Sequence, residues 1–228
     1  MPGKPRRKNS RKVGKLAFSY LAVQQPIPAK ATMKILSVNL AQVGRLQVEQ
    51  HGTLHRITSA INKMPVSGMV EVGRLGLAGD EQADLSVHGG LDKAVYAYPV
   101  EHYAFWEQQR AVALKRSAPL PPGSMGENLT LEGLLEEDLW VGDRLTIGSS
   151  VFMVTEPRRP CFKFAAKMGF SHAVKMMVQS GFTGFYLRVV QTGALQSGDT
   201  VHLAPGPRVA TLAQINRQRY QGRQRDLF

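Results

Sequence analysis

Eight short runs rich in β-branched and aromatic residues, each ended by glycine, proline or small polar residues, set the limits on what this chain can fold into. They cover 33–39, 53–58, 68–75, 94–98, 144–148, 151–156, 184–191 and 200–203, lengths and spacings that predict strands. Gly148-Ser149-Ser150, between two of them, is a tight hairpin signal. Helical periodicity is confined to about 100–113, 161–168, 171–179 and 209–219, the second closing at Gly169 as a C-cap would. Many short strands with few helices predict a mainly β, α+β domain, a closed or nearly closed β-barrel with helices packed outside. Leu120-Pro-Pro-Gly-Ser124 is the expected exposed loop.

A length of 228 with 43% apolar residues suits one domain with a substantial core. A single cysteine excludes an intramolecular disulfide, and no run is apolar enough for a secretory signal or a membrane span. The expectation is a soluble, cytoplasmic protein with no membrane partner. Most of the formal charge of +12 sits in residues 1–32, where Lys4, Arg6, Arg7, Lys8, Arg11, Lys12, Lys15 and Lys30 have no acid among them, leaving +4 for the rest. We divide the chain into a basic, disordered leader at 1–32, the barrel domain at 33–215 and a flexible basic tail at 216–228. The leader reads as a nucleic-acid-binding arm, a transit peptide or an upstream start ahead of Met33, and we adopt the last. The arm reading would enlist Arg217, Arg219, Arg223 and Arg225 at the other end, yet no nucleic-acid reader motif lies between.

Cys161 lies in Glu156-Pro-Arg-Arg-Pro-Cys-Phe-Lys163 at a predicted strand-to-helix turn. Arg158, Arg159 and Lys163 favour its thiolate, and Pro160 suits the first helical position, which puts the thiol at the positive end of a helix. Such a thiol is a soft metal ligand or a nucleophile; the alternative is a small buried apolar residue. Three other clusters carry chemistry-bearing side chains. Gly76-Leu-Ala-Gly-Asp80 and His88-Gly-Gly-Leu-Asp-Lys-Ala-Val95 place His88 and Lys93 among glycines that let a ligand approach the backbone, without forming a phosphate-binding P-loop. Glu101 and His102 in Tyr98-Pro-Val-Glu-His-Tyr103 suit acid–base work or a helix start. Asn128 in Gly126-Glu-Asn-Leu-Thr130 offers an amide to a ligand or holds a turn. Zinc spacings, a Ser-His-Asp order and a dinucleotide fingerprint are all missing from the sequence.

Taken in order, Gly76-Leu-x-Gly-Asp80, His88-Gly-Gly-x-Asp-Lys-Ala94, Tyr98-Pro, Glu101-His-Tyr103, Gly126-Glu-Asn-Leu129, Val141-Gly-Asp143 and Glu156-Pro-Arg-x-Pro-Cys161 resemble the MOSC-domain proteins, the YiiM-like group in particular, over about 33–215. The resemblance implies a β-barrel that binds a molybdenum–pterin cofactor, with Cys161 as the metal ligand. It also implies reduction of N-hydroxylated bases such as 6-hydroxylaminopurine to the parent amines, the hydroxyl oxygen leaving as water. In that setting the pterin's ene-dithiolate supplies the other soft donors, so one cysteine suffices. Lys93 and Arg158 are the expected partners of the cofactor's phosphate. His88, Asn128 and Lys163 complete the polar wall, and His102 is the expected proton donor. No flavin, haem or iron–sulfur signature is present, so the expected partner is an external electron donor of the flavin reductase class. Family members with a longer helical tail beyond the barrel differ from this chain, which puts the donor's docking route in doubt. A carrier of the cofactor or of sulfur, without turnover, would use the same residues. Finally, Gln224-Arg-Asp-Leu-Phe228 resembles short peptides that bind the bacterial sliding clamp, with Gln224, Leu227 and Phe228 as the anchors.

Overall fold

Strand alternation sets the layers of the computed structural model, which describes residues 32–50, 52–83 and 89–225. In β7 (Val95–Pro99), Val95 and Ala97 point into one apolar core while Tyr96 and Tyr98 point into another on the opposite face. The same division runs through β11 (Phe185–Gln191), where Phe185, Leu187 and Val189 join the first core and Tyr186 the second. A strand buried on both faces reads as a continuous apolar run, and β7 is buried at every position.

The first core fills the inside of an eight-stranded sheet. Its other strands are β1 (Lys34–Leu40), β4 (Met64–Val66), β8 (Leu129–Glu132), β9 (Arg144–Ile147), β10 (Ser150–Pro157) and β13 (Val201–Ala204), in the order β13-β9-β10-β11-β7-β8-β1-β4. All neighbours are antiparallel except β7 and β8. That parallel pair requires a crossover, which contains helix α1 (Tyr103–Leu114). Beside this sheet stand a hairpin of β2 (Gly44–Gln50) with β3 (Thr53–Ser59), and a three-stranded sheet of β12 (Gly193–Leu195), β5 (Val70–Gly73) and β6 (Gly76–Leu77). Each predicted strand has its counterpart. The predicted hairpin is present too: Ile147 pairs with Ser150 across a two-residue loop that opens on Gly148 at φ 57°.

The closed barrel is realised as a rolled sheet. A bulge between Ile35 and Ser37 bends β1, so its second half meets β4 while its first half meets the chain entering β13. Ile35 N donates to Asp199 O at 2.9 Å, Gly198 N to Ile35 O at 2.8 Å and Val201 N to Met33 O at 2.8 Å. The strand order runs from β13 to β4, and these bonds bring its β13 end back against the start of β1.

Helices α1, α2 (Phe162–Met168) and α3 (Ala173–Ser180) cover the outer face. Trp106, Phe164, Met168 and Met177 from these helices pack with Tyr96, Tyr98 and Tyr186 from the sheet. Helix α4 (Leu212–Arg225) runs past the boundary placed at 215, so 216–225 are helical where a flexible tail was expected. Gln and Arg are good helix formers, and Arg219 ties the helix to the sheet through Pro157 O at 2.8 Å and Glu156 at 2.9 Å. The leader to residue 31 lies outside the described residues. No described helix is long and apolar enough to cross a membrane.

The predicted exposed loop at 120–124 is instead drawn inward at Gly123 and Ser124. Its anchor is Glu127, whose fully buried carboxylate accepts hydrogen bonds from Gly123 N at 2.8 Å, Met125 N at 2.9 Å, Thr130 Oγ1 at 2.8 Å and the Tyr103 hydroxyl. A buried carboxylate is tolerated only when so satisfied, and removing it strands its donors. Glu127→Ala is therefore expected to lower the unfolding free energy by about 3 kcal/mol or more in urea titration. A change below ~1 kcal/mol would show that the loop is held by other contacts.

Candidate functional site

A cleft opens on the outer face of the sheet where β7 and β11 meet the start of α2. The cross-strand pair Tyr96 and Tyr186 lines it, because the β7–β11 register sets these residues opposite each other. Burial pushes both phenol pKa values up, so both stay protonated at neutral pH, and Tyr96 donates to Thr183 O at 2.7 Å.

After β10 the chain turns through Arg158-Arg159-Pro160 into α2, with Cys161 as the extended N-cap residue at φ −127°. Pro160 thus precedes the cap by one residue, where it had been expected at the first helical position. Cys161 is half-buried and lines the cleft, and its carbonyl accepts Phe164 N at 2.9 Å. Lys163 lines the cleft as well and reaches Thr58 O of β3 at 3.3 Å.

Arg158 is 7% exposed. Its guanidinium donates to Met125 O, lies 4.6 Å from the centroid of Tyr96 and 5.5 Å from that of Phe164, and has no carboxylate partner among the described residues. Ring faces and a carbonyl offset part of the cost of burying that charge, and an anion in the cleft would complete the offset. Lys93 approaches from a 3-10 turn, Leu91–Lys93, near Glu156 at 3.6 Å and 5.9 Å from the Tyr186 centroid. Gln82 braces this turn, accepting Gly90 N at 3.0 Å and donating to Ala94 O at 3.3 Å. Lys63, also in the wall, is paired with Asp80 in the interior. Burial pushes its ammonium pKa down, and Asp80 opposes that.

Cys161, Lys93, Arg158 and Lys163 therefore line one cleft. Asn128 also borders the cleft, but its amide is committed to the fold. It accepts Tyr96 N at 3.1 Å and donates to Asp80 Oδ2 at 2.8 Å and Asn39 O at 3.4 Å. His102 does not line this cleft. It is buried against Phe182, ring centroids 3.9 Å apart, with Nε2 2.8 Å from Glu136 Oε2. Its motif neighbours are structural as well, Glu101 accepting Gly133 N at 2.6 Å and Tyr103 bonding Glu127. His88, Leu227 and Phe228 lie outside the described residues, as does the side chain of Gln224. Lys63, Gln82, Tyr96 and Tyr186 were not legible as site residues. The one available signal was the Val95-Tyr96-Ala97-Tyr98 alternation, which marks Tyr96 and Tyr98 as sharing a face.

One turn beyond Lys163, Lys167 lies 3.5 Å from Asn62 Oδ1. Its pKa is pushed down to about 8, chiefly by lost hydration, with Glu127 opposing and Arg158 and Lys63 reinforcing. The fold thus favours the neutral amine. The cost is full below pH 8 and fades toward the ordinary value of 10.5, a range where the unfolded chain binds more protons. Lys167→Met should raise the melting temperature at neutral pH by about 2–4 °C, with the gain shrinking toward pH 10.5. An equal gain at both ends would assign the effect to packing.

The MOSC domain family model matches residues 84–202, just over half of the chain. The protein YflK of Bacillus subtilis (strain 168) is 40% identical over 169 residues, 74% of this chain and 72% of YflK. A protein of Gibberella moniliformis named as a reductase is 34% identical over 173 residues, 74% of this chain but 29% of that protein. The crystal structure of YiiM from Geobacillus stearothermophilus superposes with a TM-score of 0.67 at 34% identity, over 84% of this chain and 85% of that one. The chain therefore belongs to the MOSC domain family, and YiiM proteins are among its relatives.

Proposed function

We propose that the cleft binds the molybdenum cofactor through Cys161 and that the protein reduces N-hydroxylated compounds, 6-hydroxylaminopurine among them, to the parent amines. The observation that carries this reading is the juxtaposition of one thiol with a buried guanidinium that has no carboxylate partner among the described residues, in a cleft also lined by Lys93 and Lys163. The donor set fits a sulfur-rich metal carried by an anionic organic group. Cys161 offers one soft ligand, and the three cations offer a seat for a phosphate. The described residues contain no group of three or more His, Cys, Asp and Glu side chains able to hold a bare metal ion. When bound, the cofactor supplies the two-electron chemistry.

The balance is R–NHOH plus two electrons and two protons, giving R–NH2 and water. Electrons come from an external donor of the flavin reductase class. Arg158 and Lys93 orient the anionic end, Arg158 being fixed by Met125 O and the Tyr96 face. Tyr96 and Tyr186 wall the cleft with neutral phenols, which limits water without adding charge. Protons for the departing oxygen are drawn from groups in the cleft, Lys63 Nζ being the buried ammonium among them, and His102 has no part in that role. Likeness to a reductase over 74% of this chain supports the reaction class.

The test is molybdenum and pterin stoichiometry, with 6-hydroxylaminopurine reduction, in wild type and Cys161→Ser purified anaerobically from a host that makes the cofactor. Near-equimolar molybdenum in wild type is expected, with molybdenum and turnover falling to background in the variant. Full turnover by the variant would remove Cys161 from the site. Cofactor without turnover in the wild type, with a working donor present, would make the protein a carrier.

A further inference from the structure

Behind the Cys161 cleft lies a second one, between the 158–160 turn, α3 and α4. Three arginines line it, Arg158, Arg159 and Arg219, with Thr183, Asn216 and Gly222. Arg158 lines both clefts. We infer that this second cleft holds a phosphate monoester on the substrate, so that the N-hydroxylated base is taken as a nucleoside monophosphate. The inference rests on the reductase reading above.

Charge is the first argument. Glu156 pairs with Arg219 at 2.9 Å, whereas Arg158 and the exposed Arg159 have no ion pair among the described residues. Arginines lining one concave surface suit a phosphate, which guanidinium groups bind by forked, charge-assisted hydrogen bonds. A free purine base has no anion to place there.

Shape is the second. Gly222 sits within α4, where glycine is disfavoured, and a Cβ built on it would meet nothing within 4 Å. The glycine therefore relieves no crowding between elements, and there is room for a larger side chain at this lining position. The lining around Thr183 is fixed, because Asn216 Nδ2 donates to Thr183 Oγ1 at 2.9 Å and Gly181 O at 3.0 Å, and Thr183 Oγ1 donates to Gly184 O at 2.9 Å. A lining held in this way makes a seat that costs little to order.

A phosphate monoester could come from the substrate or from the cofactor, and the experiment separates them. Calorimetry with the full chain would compare adenosine 5′-monophosphate with adenosine, in wild type, Arg159→Ala and Gly222→Leu, with molybdenum content measured for each. The expected result is a preference for the monophosphate of about tenfold or more in wild type, lost in both variants, with molybdenum unchanged. In the cofactor-loaded variants the KM for the monophosphate of 6-hydroxylaminopurine riboside should rise, relative to wild type, more than that for the free base. Equal binding of the two adenosine ligands, or variants that preserve the preference, would overturn the inference. Loss of molybdenum in Arg159→Ala would also overturn it by assigning the cleft to the cofactor. If the loaded protein reduces neither free base nor nucleotide, the reductase reading fails while the binding result still stands or falls by itself.

Discussion

Carboxylates buried among hydrogen-bond donors hold the irregular parts of this protein in place. Glu127, Glu136 and Asp143 are 0–4% exposed, and the Asp80 side chain is 5% exposed. An unpaired carboxylate at such depth would cost several kcal/mol, so each must be surrounded by donors before the chain can close over it. The donors come from distant segments. Asp80 gathers Ala41 N, Lys63 and Asn128; Glu136 gathers Gly184 N and His102; Asp143 gathers Trp140 N, Gly206 N and Arg208. Loops without helix or strand are thereby as fixed as the sheet. One consequence reaches the cleft directly: Glu127 holds Met125 N, and Met125 O in turn anchors Arg158.

This explains what the sequence disclosed and what it withheld. Strands with β-branched alternation were legible because the same alternation divides the two cores. The unforeseen strands are short or mainly polar. β2 reads Gly-Arg-Leu-Gln-Val-Glu-Gln, and Leu46 and Val48 turn inward, toward Ile61 and a satellite cluster that includes Ala166 of α2. β4, β6 and β12 are two or three residues long and exist through their partners. The helical end of the chain was misread because its Gln and Arg look like a solvated tail, whereas the Arg219 contacts dock it.

The cleft was legible where charge is local in sequence and obscure where it is assembled at long range. Arg158, Cys161 and Lys163 lie within six positions, so their mutual influence could be read directly. Lys63 is brought in by Asp80, and Tyr186 by register with Tyr96, neither of which leaves a local trace. His102 was misplaced for a related reason. A histidine beside a glutamate at a helix start has the composition of an acid–base pair, but its partner is Glu136, 34 positions away, in a stacked and buried setting.

Under the proposed function, family membership and chemistry are carried by different residues of the same motifs. Asp80, Glu101, His102, Tyr103, Glu127, Asn128 and Asp143 make the ordered pattern recognisable, and each is engaged in hydrogen bonds that shape the fold. Lys93, Arg158 and Cys161 turn toward the cleft instead. A relative could keep every structural member of the pattern and alter its chemistry by changing the few residues at the cleft wall. The reverse also holds: a substitution at Glu127 or Asp80 would damage the site by loosening the loops that hold Arg158 and Lys63, without any contact to a ligand. Which effect a variant reports can be told from its folding stability, because the cleft residues are held by the fold more than they hold it. Arg158 is the exception, since its guanidinium packs on Tyr96 and Phe164 and the residue lines both clefts. Its position at the junction of the outer core and the two clefts couples stability to binding at that one side chain.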